Sequence, residues 1–147
     1  MSRPDISLSP DEQAVFMREN RKAALATIDK EGFPHLVAMT YAVRDGAFYM
    51  TSYRKAQKVV NIARNPRVAL MVEAGGAYAE LRGIMIRGTG EIIDDPAAVN
   101  EVFAMLAEDS GRGRRTESVA SAPKRVVLRV VPEKVVTWDH TKLGGRH

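Results

Sequence analysis

Three runs of apolar or alternating residues, "KAALATID", "PHLVAMTYAV" and "AFYMTS", follow one another between Lys22 and Ser52. Only "DKEGFP" and "RDG" separate them, and both are rich in turn-forming residues. Parallel neighbours need a crossover of about a dozen residues or more, so these runs can pair only as an antiparallel meander. That limits the chain to folds built on an antiparallel sheet.

The flanking segments supply the helices. In "SPDEQAVFMREN" Ser9 is placed as N-cap, Pro10 as first helical residue and Glu12 as the far side of a capping box, which predicts a helix to about Asn20. Between Lys55 and Arg64 the apolar residues Val59, Ile62 and Ala63 recur at helical spacing, and Asn65-Pro66 ends the segment. "RVALMVEA" reads as the next strand. "AELRGIMIRGTGEIID" reads as a long strand in which Gly83, Gly88 and Gly90 permit curvature or a bulge, a feature of barrels. Asp95 and Pro96 open a helix, "PAAVNEVFAMLAED", with an apolar face of Val99, Val102, Phe103 and Leu106. A loop, "SGRGRRTESVASAP", leads to two β-branched runs on either side of Pro132, "RVVLRVV" and "KVVTWDH". The expected fold is α+β: one domain over residues 1–147, core about 9–138, with six or seven antiparallel strands curled into a small barrel and flanking helices.

Several chemistries are set aside by what the chain lacks. It has no cysteine, and its histidines, His35, His140 and His147, match no metal-ligand spacing, so no metal site is expected. "GTGEII" lies inside a strand and lacks the third glycine of a dinucleotide fingerprint. There is no phosphate-binding P-loop and no nucleophile elbow. Asp94 and Asp95 are adjacent, but capping by Asp95 accounts for them. No run is long enough to span a membrane, and no secretory leader is evident, which gives a soluble, cytoplasmic expectation. With no acid, base or nucleophile set, the chain is expected either to bind only or to use a cofactor that brings its own chemistry.

The charge pattern says where an anion would go. The net charge is +4, yet six acids and no base lie between Gly88 and Asp109, while "TSYRKAQKVVNIARNPR" has five bases and no acid. Ser52 ends a strand there, and Arg54, Lys55 and Lys58 stand at the start of the next helix, where free backbone N–H groups and the helix dipole favour a phosphate. A solvated helix face is the alternative reading of the same residues.

"ALATIDKEGFPHLVAMTYAVRDGAFYMTSYRKAQKVVNIARNPRVALMV" resembles the split-barrel flavin family that includes pyridoxamine 5'-phosphate oxidase. The resemblance covers roughly Ser9 to Trp138. Its most specific parts are the opening hairpin and "KVVNIARNPRVAL", and with "VVTWDHTKLGG" it points to the branch that uses the deazaflavin coenzyme F420. The arginine- and histidine-rich carboxy-terminal motif of a true pyridoxamine phosphate oxidase is missing, and Ala56 stands where an arginine is common.

The resemblance implies a homodimer with two cofactor sites at its interface. It assigns the phosphate to Lys58, with Ser52, Arg54 and Lys55 around it. Thr51 would lie with Ser52 beneath the ring, and Met39, Thr40 and Tyr41 would line it. Met85 and Arg87 would reach it from the partner, and Trp138 would flank the pocket or the interface. The implied activity is hydride transfer between reduced F420 and a small conjugated or quinone-like substrate, with FMN as the alternative cofactor and the proton coming from solvent or from Tyr41. Two other readings remain open on the residues: a flavin- or haem-binding protein without turnover, and nucleic-acid binding through "GRGRR". The second is disfavoured by an aromatic content of 6% and the lack of a stacking platform.

Overall fold

The structure, a computed structural model, describes residues 2–144. The last residue of "VVTWDHTKLGG" and His147 lie outside the described residues. Helix α1 (Pro10–Glu19) begins with the expected capping box: the Ser9 hydroxyl accepts from the Glu12 amide at 3.2 Å, and the Glu12 carboxylate accepts from the Ser9 amide at 2.9 Å. Its buried Phe16 enters the core.

Seven strands form one sheet: β1 (Lys22–Ile28), β2 (Pro34–Thr40), β3 (Ala42–Arg44), β4 (Ala47–Tyr53), β5 (Arg67–Ala74), β6 (Arg82–Ile93) and β7 (Arg125–Asp139). Their order is β2-β1-β5-β6-β7-β4-β3, and every pairing is antiparallel. The barrel-like α+β architecture expected from the sequence is the one observed, but the seven strands are differently divided.

"PHLVAMTYAV" is not one straight strand. It breaks at Tyr41, so that β2 pairs with β1 while β3 pairs with β4, and the two halves end at opposite edges of the sheet. One continuous stretch of chain therefore curls the sheet round on itself. At the other end, "RVVLRVV" and "KVVTWDH" are not two strands but one of fifteen residues. Pro132 is accommodated because the β6 and β7 register shifts there: Arg87 faces Lys134, Gly88 faces Pro132, and Glu133 is left over as a bulge. A bulge needs no N–H from the proline. Gly88 is required for the close approach, since a Cβ there would sit 2.1 Å from the Val131 carbonyl oxygen.

Alternation sorts each strand into two faces. Leu25, Met50, Leu70, Ile84 and Leu128 point inward and form the main core with Phe16 and Phe48. Helix α3 (Pro96–Asp109), capped by Asp95 as expected, lays Val99 and Val102 on Val127 and Ala122 in a second cluster outside the barrel. Helix α2 (Gln57–Arg64) starts two residues later than expected, with Ala56 as N-cap. It is pinned by a buried chain of hydrogen bonds: Gln57 donates to Asn61 at 2.7 Å, and Asn61 donates to Thr27 of β1 at 3.0 Å. Among the described residues no helix is long and apolar enough to cross a membrane.

Beyond the part that α3 covers at Val127 and Ile93, the outward face of five strands carries an open row. Ala38, Ala24, Met71, Met85 and Val136 are direct cross-strand neighbours and form one uncharged row from β2 to β7. Met71 and Val136 are 39% and 41% exposed, which makes the row open apolar surface. Trp138 lies on the same face, its ring over Gly83, where a Cβ would come within 2.2 Å of it.

Candidate functional site

The break at Tyr41 leaves one edge of β2 without a strand partner, and across that opening stand β4 and the carboxy-terminal half of α3. Between them is a cleft of about 720 Å³. Ala38, Met39 and Thr40 form one wall and Phe103, Leu106 and Ala107 the other, with Thr51 of β4 between them. The rim carries Arg21, Lys22, Arg112, Arg114, Arg115 and Arg125, and no acid lines the cleft. A slot with apolar walls and a cationic rim suits a flat, anionic ligand.

Arg125 joins this cleft to the start of α2. Its guanidinium lies 4.1 Å from the centroid of Tyr53 and 5.3 Å from that of Phe103, and its Nε donates to the Ser121 hydroxyl at 2.9 Å. It is also close enough to Lys58 to matter electrostatically: partial burial, and then the Arg125 charge, hold the Lys58 ammonium below its usual pKa. No acid offsets this within ion-pairing distance among the described residues. The α2 N-cap, Ala56, has no side-chain acceptor to offer the first turn. Two cations and the positive end of a helix dipole therefore converge on one corner, which favours an anion there.

The residues expected from the sequence divide into four groups. Met39, Thr40 and Thr51 line the cleft, and Lys58 stands at the adjoining corner with exposed Lys55 in the turn before it. Ser52 is buried and donates to the Tyr53 carbonyl at 3.1 Å, while Arg54 is held by Asp94, with contacts of 2.6 and 3.1 Å, and by the Pro123 carbonyl. Asp94 thus serves as the counter-ion that fixes the strand-to-helix turn. Tyr41 is 3% exposed, packs its ring at a tilt against Phe48 and donates to the Met17 carbonyl at 3.0 Å. Burial raises its pKa, and it lines a smaller cavity of about 280 Å³ with Arg18 and Arg44 rather than the main cleft. A proton donor role for Tyr41 has no support in this placement. Met85 and Arg87 lie on the outward sheet face, away from this chain's cleft.

Sequence reasoning missed Arg125, Phe103, Arg21 and Lys22, and read "GRGRR" as a connection or a nucleic-acid contact, never as part of the cleft. The available signal was the charge change, from an acid-only segment ending at Asp109 to three bases in the next six residues. Among the described residues there is no cluster of side chains able to hold a metal.

Comparison with known proteins agrees with this architecture. The chain is similar to the conserved hypothetical protein Rv2991 from Mycobacterium tuberculosis, with 38% identity over 100% of this chain and 94% of that one and a TM-score of 0.88. An F420 reductase is 29% identical over 83% of this chain and 94% of its own length, with a TM-score of 0.67. The haem storage protein HutZ from Vibrio cholerae, at 15% identity, 88% and 94% coverage and a TM-score of 0.64, shares the fold alone. No curated protein matches the chain. Residues 9–139 match the pyridoxamine 5'-phosphate oxidase family, the span that runs from the α1 cap to the end of β7, and the chain belongs to that family.

Proposed function

We propose that the protein is an oxidoreductase that binds the deazaflavin coenzyme F420, with FMN as the alternative, and works on a small conjugated or quinone-like substrate. The observation that carries this reading is the acid-free cleft of about 720 Å³, with its apolar walls and its link through Arg125 to the corner at Lys58. The residues fit such a cofactor: Lys58, Arg125 and the first turn of α2 would hold the phosphate, and Met39, Thr40, Thr51 and Phe103 would hold the ring. When bound, the cofactor supplies hydride chemistry.

The chain's own part is then positional. Met39 and Phe103 confine a planar group and exclude water, and Thr40 and Thr51 offer hydroxyls along its edge. Among the described residues that line the cleft none is a histidine, aspartate or glutamate, and solvent is the proton source this reading uses. Among the described residues the cleft offers haem no axial histidine, so the apolar walls and cationic rim support the deazaflavin or flavin reading over the haem one.

The reading includes a homodimer. The uncharged row from Ala38 to Val136 ends at the cleft, because Ala38 belongs to both. A second copy laid on this face would bury the row and bring its own Met85 and Arg87 near the cleft. Titration of the purified protein with F420 and FMN, followed by fluorescence, tests the proposal, and saturable binding of one of them is expected. If neither binds at micromolar concentration, the proposal fails.

A further inference from the structure

The cleft holds more positive charge than one phosphate requires. We propose that Arg112 and Arg115, with Arg21 and Lys22, form a second anion subsite that takes a carboxylate-bearing substrate with an apolar, ring-sized body. This rests on the cofactor reading above, which assigns Lys58 and Arg125 to the phosphate.

Four nearby acids are already committed, and Glu117 meets Arg115 through its backbone carbonyl and in no ion pair among the described residues. Glu101 and Glu108 are paired with Arg114, Asp109 with Arg44 at 2.9 Å, and Asp94 with Arg54. Arg114 is therefore neutralised and ties the loop to α3. Arg21, Lys22, Arg112 and Arg115 have no ion-pair partner among the described residues. Arg112 and Arg115 are oriented without being discharged. Arg112 Nε donates to the Ser110 hydroxyl at 2.9 Å, and Arg115 Nε donates to the Glu117 carbonyl at 3.1 Å. Each keeps its terminal nitrogens for an incoming carboxylate, which a guanidinium can hold with two parallel bonds.

Uncompensated like charges around a low-dielectric cleft repel one another, and a bound acid relieves this. Phe103, Leu106 and Ala107 lie on the same wall as the arginine loop, so the acid's apolar part has surface to cover. A neutral quinone would use the walls and leave the cations unanswered. A small hydrophilic acid would do the reverse. An acid carried on an aromatic or conjugated body uses both.

The test is calorimetric titration with naphthalene-2,6-dicarboxylate and its neutral diamide, on protein with and without bound F420 or FMN. Wild type is expected to bind the dicarboxylate at least about tenfold more tightly than the diamide, with a preference that shrinks as salt rises. R112A/R115A should lose the preference, R112K/R115K should keep part of it, and cofactor Kd should change less than twofold in both. Equal binding of the two probes by wild type, or an undiminished preference in R112A/R115A, overturns the proposal. So does a variant that loses cofactor affinity and keeps the dicarboxylate preference, because the arginines would then serve the cofactor's own acidic tail. If neither cofactor binds, yet the preference and its loss are seen on the cofactor-free protein, the cofactor reading fails and the subsite stands.

Discussion

Lys58→Ala separates a binding role from a structural one, because the two predict opposite changes. The ammonium is half-buried, has no acid partner and is held below its usual pKa by burial and by Arg125, so the fold does not gain from its charge. Removing it should leave the unfolding midpoint unchanged or slightly raised. A hydrogen bond from a charged group contributes about 1.5–3 kcal/mol. Partial exposure and salt reduce that here to about 1–2 kcal/mol. At about 1.4 kcal/mol per factor of ten, cofactor Kd should weaken about 5- to 30-fold.

The pH dependence has a definite sign. Between the lowered native pKa and the ordinary 10.5, the unfolded chain binds more protons than the native one, so Lys58 makes stability rise with pH over that window. Lys58→Ala should remove that rise. Fluorescence titration of cofactor, paired with thermal melts across the alkaline range, provides both readouts. Equal Kd in variant and wild type would refute the phosphate corner, and a large fall in melting temperature at neutral pH would show that the lysine is structural instead.

Asn61→Ala removes the fully buried link between Gln57 and Thr27 and should cost about 1–3 kcal/mol in denaturant unfolding. Gly88→Ala forces a methyl against the Val131 carbonyl at the β6–β7 bulge; the expected loss is about 3 kcal/mol, and a variant as stable as wild type would contradict the close approach. Met71→Glu puts a charge in the middle of the uncharged sheet row, so the proposed homodimer should shift to monomer in sedimentation, with little change in the unfolding of the monomer itself.

What the sequence made legible was local. The Ser9–Glu12 box, the Asp95 cap and the hairpin turns each act within a few residues, and each is found where the pattern puts it. Two features depended on the whole sheet. Tyr41 is an ordinary aromatic in an apolar run, and nothing beside it signals that the chain turns there toward the opposite edge. Pro132 suggests a strand end until Gly88, forty-four positions earlier, supplies the matching irregularity. The cleft was the least legible part, since Met39, Thr51, Phe103, Arg115 and Arg125 converge from separate elements. Local charge drew attention to the start of α2, but it could not show that Asp94 had already engaged Arg54.

The junction at Tyr41 has a mechanical corollary. No rung of hydrogen bonds crosses it, so a modest change in girth at that seam breaks no strand pairing. What resists spreading is the Tyr41 anchorage: its amide is tied to the Arg21 carbonyl at 3.0 Å and its hydroxyl to the end of α1. An inserted guest that pushes on Met39 and Thr40 therefore loads the first helix through one tyrosine, and the rest of the rim can stay stiff.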